Sequence, residues 1–275
     1  MAYHTLLVHL DSGPTCATRM EIALRLAREH GSHLIGLAPT GQVQIPIDVA
    51  SSLLEPGYLV ASQHFLRERA KLACEDFEAL AAAAELSSFE SRIDESDHAA
   101  SVMAQARGAD LVLVGQTDPE APLGVVNRDL PEQAALGCGR PVLVVPYAGQ
   151  FKTLGHRVLA AWNDSRESTR AFGDALPILQ RALKVTVMTQ RSPDAPAPAL
   201  HHLDAWLARH GVKVAFAHEV SALDVGDLLL SRAADLDIDL IVMGCYGHSR
   251  LSERVLGGAT RTLLAQMTVP VLMAH

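Results

Sequence analysis

Short apolar runs and amphipathic stretches alternate along the whole chain. Residues 5–10 read as a buried strand that ends in Asp11-Ser-Gly-Pro14. Residues 17–29 then place Met20, Ala23, Leu24 and Ala27 at helical spacing, with Gly31 as a stop signal. The same alternation predicts strands at 33–37, around Phe89, at 110–114 and at 141–146. Helices are expected at 58–84 and 97–107, the second capped by Asp97. From residue 157 the pattern starts again. Strands are expected at 157–162, 185–189, 212–218, 239–243 and 269–273, with helices at 167–182, 200–209, 222–234 and 261–266. Residues 39–56 are less regular, and residues 192–198 form a Pro-rich linker.

Two comparisons make this a repeat. The first strand of each half ends in Asp-Ser, at Asp11-Ser12 and at Asp164-Ser165. The interval from the Gly that ends the fourth strand to the Pro at the fifth is 26 residues in both, Gly115 to Pro141 and Gly244 to Pro270. The chain therefore reads as two domains, 1–150 and 151–275. Strands alternating with helices imply α/β architecture, with two tandem doubly wound parallel five-stranded sheets covered on both faces.

Composition narrows the class. About half of the 275 residues are hydrophobic and a fifth are charged, as in a well-cored globule. No apolar run is long enough to cross a bilayer, and the first residues lack the pattern of a signal peptide. The four cysteines stand singly, so reduced cytoplasmic thiols are expected. The net charge of −8 argues against a nucleic-acid binder. Residues 157–275 hold 12 Lys/Arg and 12 Asp/Glu, so all the excess negative charge lies in the first half.

The stretch richest in chemistry is Gly244-Cys-Tyr-Gly247, which follows the strand at 239–243 and leads through Gly257, Gly258, Ala259 and Thr260 into a helix. Glycines between a strand end and a helix start present bare N–H groups to an anion, aided by the positive end of the helix dipole. In a doubly wound sheet, ligands sit outside the carboxyl ends of the strands where the strand order reverses. With the first and fourth strands neighbours there, Asp164 and the Gly244 loop face one crevice. The carboxylate would accept from a ribose hydroxyl or a base amine, and the loop would hold phosphates. The pattern is neither a P-loop nor G-x-G-x-x-G.

The two-copy plan and the G-x2-G-x9-G loop resemble the universal stress protein (UspA-like) family in its tandem-domain form, over essentially the whole chain. The resemblance implies a Rossmann-like, adenine nucleotide alpha hydrolase-like fold. Members of one branch bind ATP through this loop. Carried over, the phosphate side would be Gly244, Gly247, Gly257, Gly258, Ala259 and Thr260; the base and ribose side would be Trp162, Asn163 and Asp164, with Met243 and Tyr246 close by. The family's ATP-binding pattern has Ser or Thr where this chain has Gly258, so one hydroxyl contact is missing. The expected cofactor is ATP or another adenine nucleotide, with Mg²⁺ as its companion ion.

The first half departs further. Asp118, Arg128, Asp129 and Pro131 stand where the second half has Gly247, Gly257, Gly258 and Thr260, so no nucleotide is expected there in the same manner. Plainer readings stand beside these. Asp164 would also serve as a helix N-cap, and the glycines as a tight turn with a close helix contact. His201, His202 and His210 read as surface histidines and not as a metal set, and Cys245 as a buried thiol. Two functions from different classes follow: a cytoplasmic stress-response sensor binding a small-molecule nucleotide in its second half, and a stress protein that works through protein contacts alone. Turnover is not expected to be its main task, since no Walker lysine or catalytic triad stands out. The halves are expected to pack as an intrachain pseudo-dimer, with a homodimer as a further level; neither nucleic acid nor membrane is expected as a partner.

Overall fold

Strands that are apolar at nearly every position need cover on both faces, and the chain supplies it with alternating helices. The computed structural model describes residues 2–41, 56–120, 129–191, 199–221, 223–246 and 258–275. The first half runs β1 (Thr5–His9), α1 (Cys16–His30), β2 (His33–Pro39), α2 (Pro56–Ala83), β3 (Phe89–Asp94), α3 (His98–Ala106), β4 (Leu111–Gly115), α4 (Leu130–Gly137) and β5 (Val142–Val145). The second runs β6 (Arg157–Ala161), α5 (Arg166–Leu179), β7 (Lys184–Arg191), α6 (His201–Arg209), β8 (Val214–Val220), α7 (Val225–Asp235), β9 (Leu240–Gly244), α8 (Gly258–Gln266) and β10 (Val271–Ala274).

The strands form one sheet in the order β3-β2-β1-β4-β5-β10-β9-β6-β7-β8. Each half alone has the same order, with its first strand between its second and fourth. The register repeats too: Gly115 pairs with Val145, and Gly244 pairs with Ala274. All pairings within a half are parallel, and the halves meet through antiparallel β5 and β10, with Leu143 opposite Leu272. Where two sheets were expected, the structure has one ten-stranded sheet. Each five-stranded sheet ends in a strand with unpaired N–H and C=O groups, and each supplies the other's missing neighbour.

Alternation along the strands feeds two apolar cores. Leu6, Val8 and Leu111 pack on one face with Met20 of α1, Phe77 of α2, Phe172 of α5 and Leu207 of α6. Leu7 and Val112 pack on the other with Val102 of α3, Ala134 of α4, Leu229 of α7 and Leu263 of α8. Because β5 and β10 are antiparallel, the carboxyl ends of the two halves point to opposite edges of the sheet. The two strand-end crevices therefore open on opposite sides of the molecule. Further bonds cross between the halves: the Gln116 amide donates to Leu264 O at 2.9 Å, and Arg25 donates to Phe151 O at 2.6 Å.

Candidate functional site

In the second half, β6 pairs with both β7 and β9, so the strand order reverses between β6 and β9. Residues leaving these two strands meet at that reversal. Trp162 follows β6; its N–H donates to Met188 O at 2.9 Å and its ring stands edge-on to Phe172 at 5.2 Å. Asn163 and Asp164 come next and are exposed. Across from them, β9 ends at Gly244, followed by buried Cys245 and half-buried Tyr246.

Two non-glycine residues here take left-handed backbone: Asp164 at φ 57° and Tyr246 at φ 57°. Asp accepts this conformation better than most residues, whereas Tyr does so rarely. The turn it makes possible frees Asp164 from capping. The N-cap of α5 is Ser165, whose hydroxyl accepts from Ser168 N while the Ser168 side chain closes a capping box. The N-cap reading of Asp164 is thus corrected. Asn163 has a local task, accepting from the Ser165 hydroxyl at 2.7 Å. The Tyr246 hydroxyl is buried and has no hydrogen-bond partner.

Gly244 has a packing reason for being glycine. A Cβ there would run into the backbone of Glu167 and Ser168 at the start of α5. The close-contact reading of this glycine therefore holds, and it is compatible with a ligand role for the loop beyond it. Met243 is buried in the core on the α7 and α8 face. Gly247 and Gly257 lie outside the described residues. Gly258 opens α8 and is exposed, Ala259 is half-buried, and Thr260 is only 2% exposed.

Asp224 was missed by the sequence reading, which started the helix at residue 222 and so hid its cap. It caps α7 by accepting from Gly226 N at 2.8 Å. Its other oxygen lies 3.0 Å from where a Gly258 Cβ would be. A carboxylate thus stands beside the first residue of α8, as is favourable at a helix N-terminus. The signal was available: Asp224 repeats the position of Asp97, which caps α3.

The Cys245 thiol is pushed up to about 12, chiefly by burial and then by nearby Glu167, so it stays a thiol and donates to Ala274 O. His201 and His202 stack on each other, and His210 packs against Trp206. Among the described residues no group of three His, Cys, Asp or Glu side chains is placed to hold a metal ion.

At the equivalent strand ends of the first half stands a buried arginine. Arg19, 1% exposed, donates through Nε to His9 O and through Nη2 to Asp11 Oδ2, both at 2.7 Å. Its other nitrogen lies so close to Gly115 that a Cβ there would overlap it. The guanidinium therefore bridges the ends of β1 and β4. Burial by itself raises the pKa of Asp11, but the Arg19 and His9 side chains and the Gly13 N–H outweigh it and hold the carboxyl down at about 2. His9 is driven down to about 3, chiefly by burial, and its Nε2 lies 2.9 Å from His98 Nδ1. The sequence reading expects no nucleotide in this half because of its acidic loop; the buried arginine is a further difference between the halves that it did not see.

Doubly wound halves, each with its strand order reversing beside its first strand, define a Rossmann-like fold of the α/β class. Residues 155–275 match the family model described as the Universal stress protein family. A universal stress protein from Archaeoglobus fulgidus DSM 4304 shares the fold over 98% of this chain and 95% of its own, at 16% identity and a TM-score of 0.76. A functionally unknown protein from Pseudomonas aeruginosa PAO1 does so over 99% and 92%, at 17% identity and a TM-score of 0.63. A universal stress protein in complex with cAMP matches 52% of this chain and 97% of its own at 21% identity, but its TM-score of 0.32 supports no argument. No curated protein matches the chain.

Proposed function

We propose that residues 151–275 form a domain that binds an adenine nucleotide, ATP being the best fit, and that the protein works as a cytoplasmic stress sensor or regulator. Residues 1–150 form the first domain, without a nucleotide. One observation carries the reading: Asp164 and the Gly244–Tyr246 turn leave adjacent strands at the reversal of strand order, where such sheets take ligands. Asp164 is exposed and uncommitted to a cap, so its carboxylate is available to a ribose hydroxyl. The amide groups opening α8 face the phosphate side. Trp162, Asn163 and Met243 complete the base and ribose side, and Gly247, Gly257, Gly258, Ala259 and Thr260 the phosphate side. Mg²⁺ would accompany the phosphates.

One observation favours the other reading, a universal stress protein acting through protein contacts without a nucleotide. Asp224 already places a carboxylate beside Gly258, where a phosphate would gather. Calorimetric titration with ATP, ADP and AMP, with and without Mg²⁺, decides between them. One site per chain, lost in Gly247→Asp, supports the nucleotide sensor. Two sites would overturn the assignment of the first half. No binding by nucleotide-free, folded protein would move the function to protein contacts.

A further inference from the structure

The strand ends of the first half leave an open pocket of about 40 Å³, lined by Asp11 and Ser12 after β1, Thr40 after β2, Arg69 of α2 and His98 of α3. A water takes up about 10–15 Å³ on the same measure, so the pocket has room for an anion of a few heavy atoms and not for a whole nucleotide. The charges on its lining do not cancel. Asp11 is already taken by Arg19 and by the Gly13 N–H. Burial keeps the imidazoles of His9 and His98 neutral at pH 7. Arg69 is left as the net charge. Among the described residues it pairs with no carboxylate; it donates to the Ser12 hydroxyl and lies over the Phe65 ring at 5.6 Å. The Ser12 hydroxyl accepts from Arg69 and keeps its own proton to donate. A guanidinium beside a hydroxyl donor suits an oxyanion.

His98 adds selection. His9 Nδ1 faces Asp11 Oδ2 at 3.5 Å, so the His9 proton sits on Nδ1, toward the carboxylate. His9 Nε2 must then accept, and His98 Nδ1, 2.9 Å away, must donate to it. That leaves His98 Nε2 as a bare acceptor, without a hydrogen-bond partner among the described residues. Gly41 gives it room, since a Cβ there would stand 3.0 Å from Nε2. We propose that this pocket binds a small oxyanion that carries an O–H, of which hydrogen phosphate is the simplest. Arg69 and Ser12 donate to its charged oxygens, and its O–H donates to His98 Nε2. Sulfate is of similar size but has no O–H at pH 7, so it sets an oxygen lone pair against the imidazole lone pair and is refused. The site is separate from the crevice between β6 and β9 and does not depend on a nucleotide there.

Calorimetric titration of the full, nucleotide-free chain at pH 7 with sodium phosphate and with sodium sulfate tests this. One phosphate site per chain is expected, with sulfate weaker by about tenfold or more. Arg69→Met is expected to weaken phosphate by about tenfold or more, with unchanged circular dichroism. His98→Ala is expected to weaken phosphate and spare sulfate, so that the two bind alike. Phosphate is expected to bind the wild type equally well in excess ATP. No phosphate binding, sulfate as tight as phosphate, full binding by Arg69→Met, a preference for phosphate that survives His98→Ala, or displacement by ATP would overturn the proposal.

Discussion

Arg19 Nη2 lies 2.7 Å from Asp11 Oδ2, and the pair links the ends of β1 and β4. Removing the guanidinium leaves a largely buried carboxylate with its principal cation gone and the Gly13 N–H as its remaining donor. We expect Arg19→Ala to lower stability by about 3–5 kcal/mol, measured by urea unfolding. A loss under about 1 kcal/mol would show that water reaches Asp11 freely.

His9 sets an acid limit. Its folded value of about 3 lies below the ordinary imidazole value of 6.5, so the unfolded chain binds the proton more tightly. The stabilisation is full above pH 6.5 and is lost as pH falls toward 3, at about 1.4 kcal/mol per pH unit. Asp11, held down at about 2 from 3.8, adds a loss in the same direction at lower pH. Unfolding measured from pH 7 to pH 4 is expected to show this slope, and His9→Gln to flatten it. An unchanged slope in that variant would assign the acid sensitivity to other groups.

Gly244 and the start of α5 are in contact without room for a Cβ. We expect Gly244→Ala to cost about 1–3 kcal/mol of stability, as overpacking does, even without any ligand. Thermal unfolding in nucleotide-free buffer checks this, and a neutral result would leave ligand approach as the sole reason for glycine there.

Asp224 offers a separation of charge from capping. Asn caps helices about as well as Asp, so Asp224→Asn is expected to keep α7 intact. Removing one negative charge beside Gly258 is expected to tighten ATP roughly tenfold, with a smaller gain for AMP. Equal gains for ATP and AMP, or none, would place the phosphates away from α8.

Much of this architecture was legible in advance, because its signals are local. Apolar runs marked most of the strands, Asp97 announced α3, and the matched Asp-Ser pairs and Gly-to-Pro intervals exposed the repeat. The crevice between β6 and β9 followed from topology alone. What escaped were contacts between distant segments. Arg19 stands beside Met20 and Ala23 in a helix whose pattern gives no sign that a cation is buried. The β5–β10 seam joins two runs that look like ordinary fifth strands, each complete in its own half. Asp224 was lost to a helix boundary placed a few residues early, and with it the carboxylate beside Gly258.

The β5–β10 seam also has a kinetic side. Leu143 and Leu272 are far apart in the chain, so their pairing carries a large loop-closure cost and forms late. Until β10 arrives, a first half already assembled through β5 displays an open strand edge of Val142–Val145, four apolar residues in a row. The interval between completing the first half and zipping this seam is when the nascent chain is most exposed to pairing with the wrong neighbour.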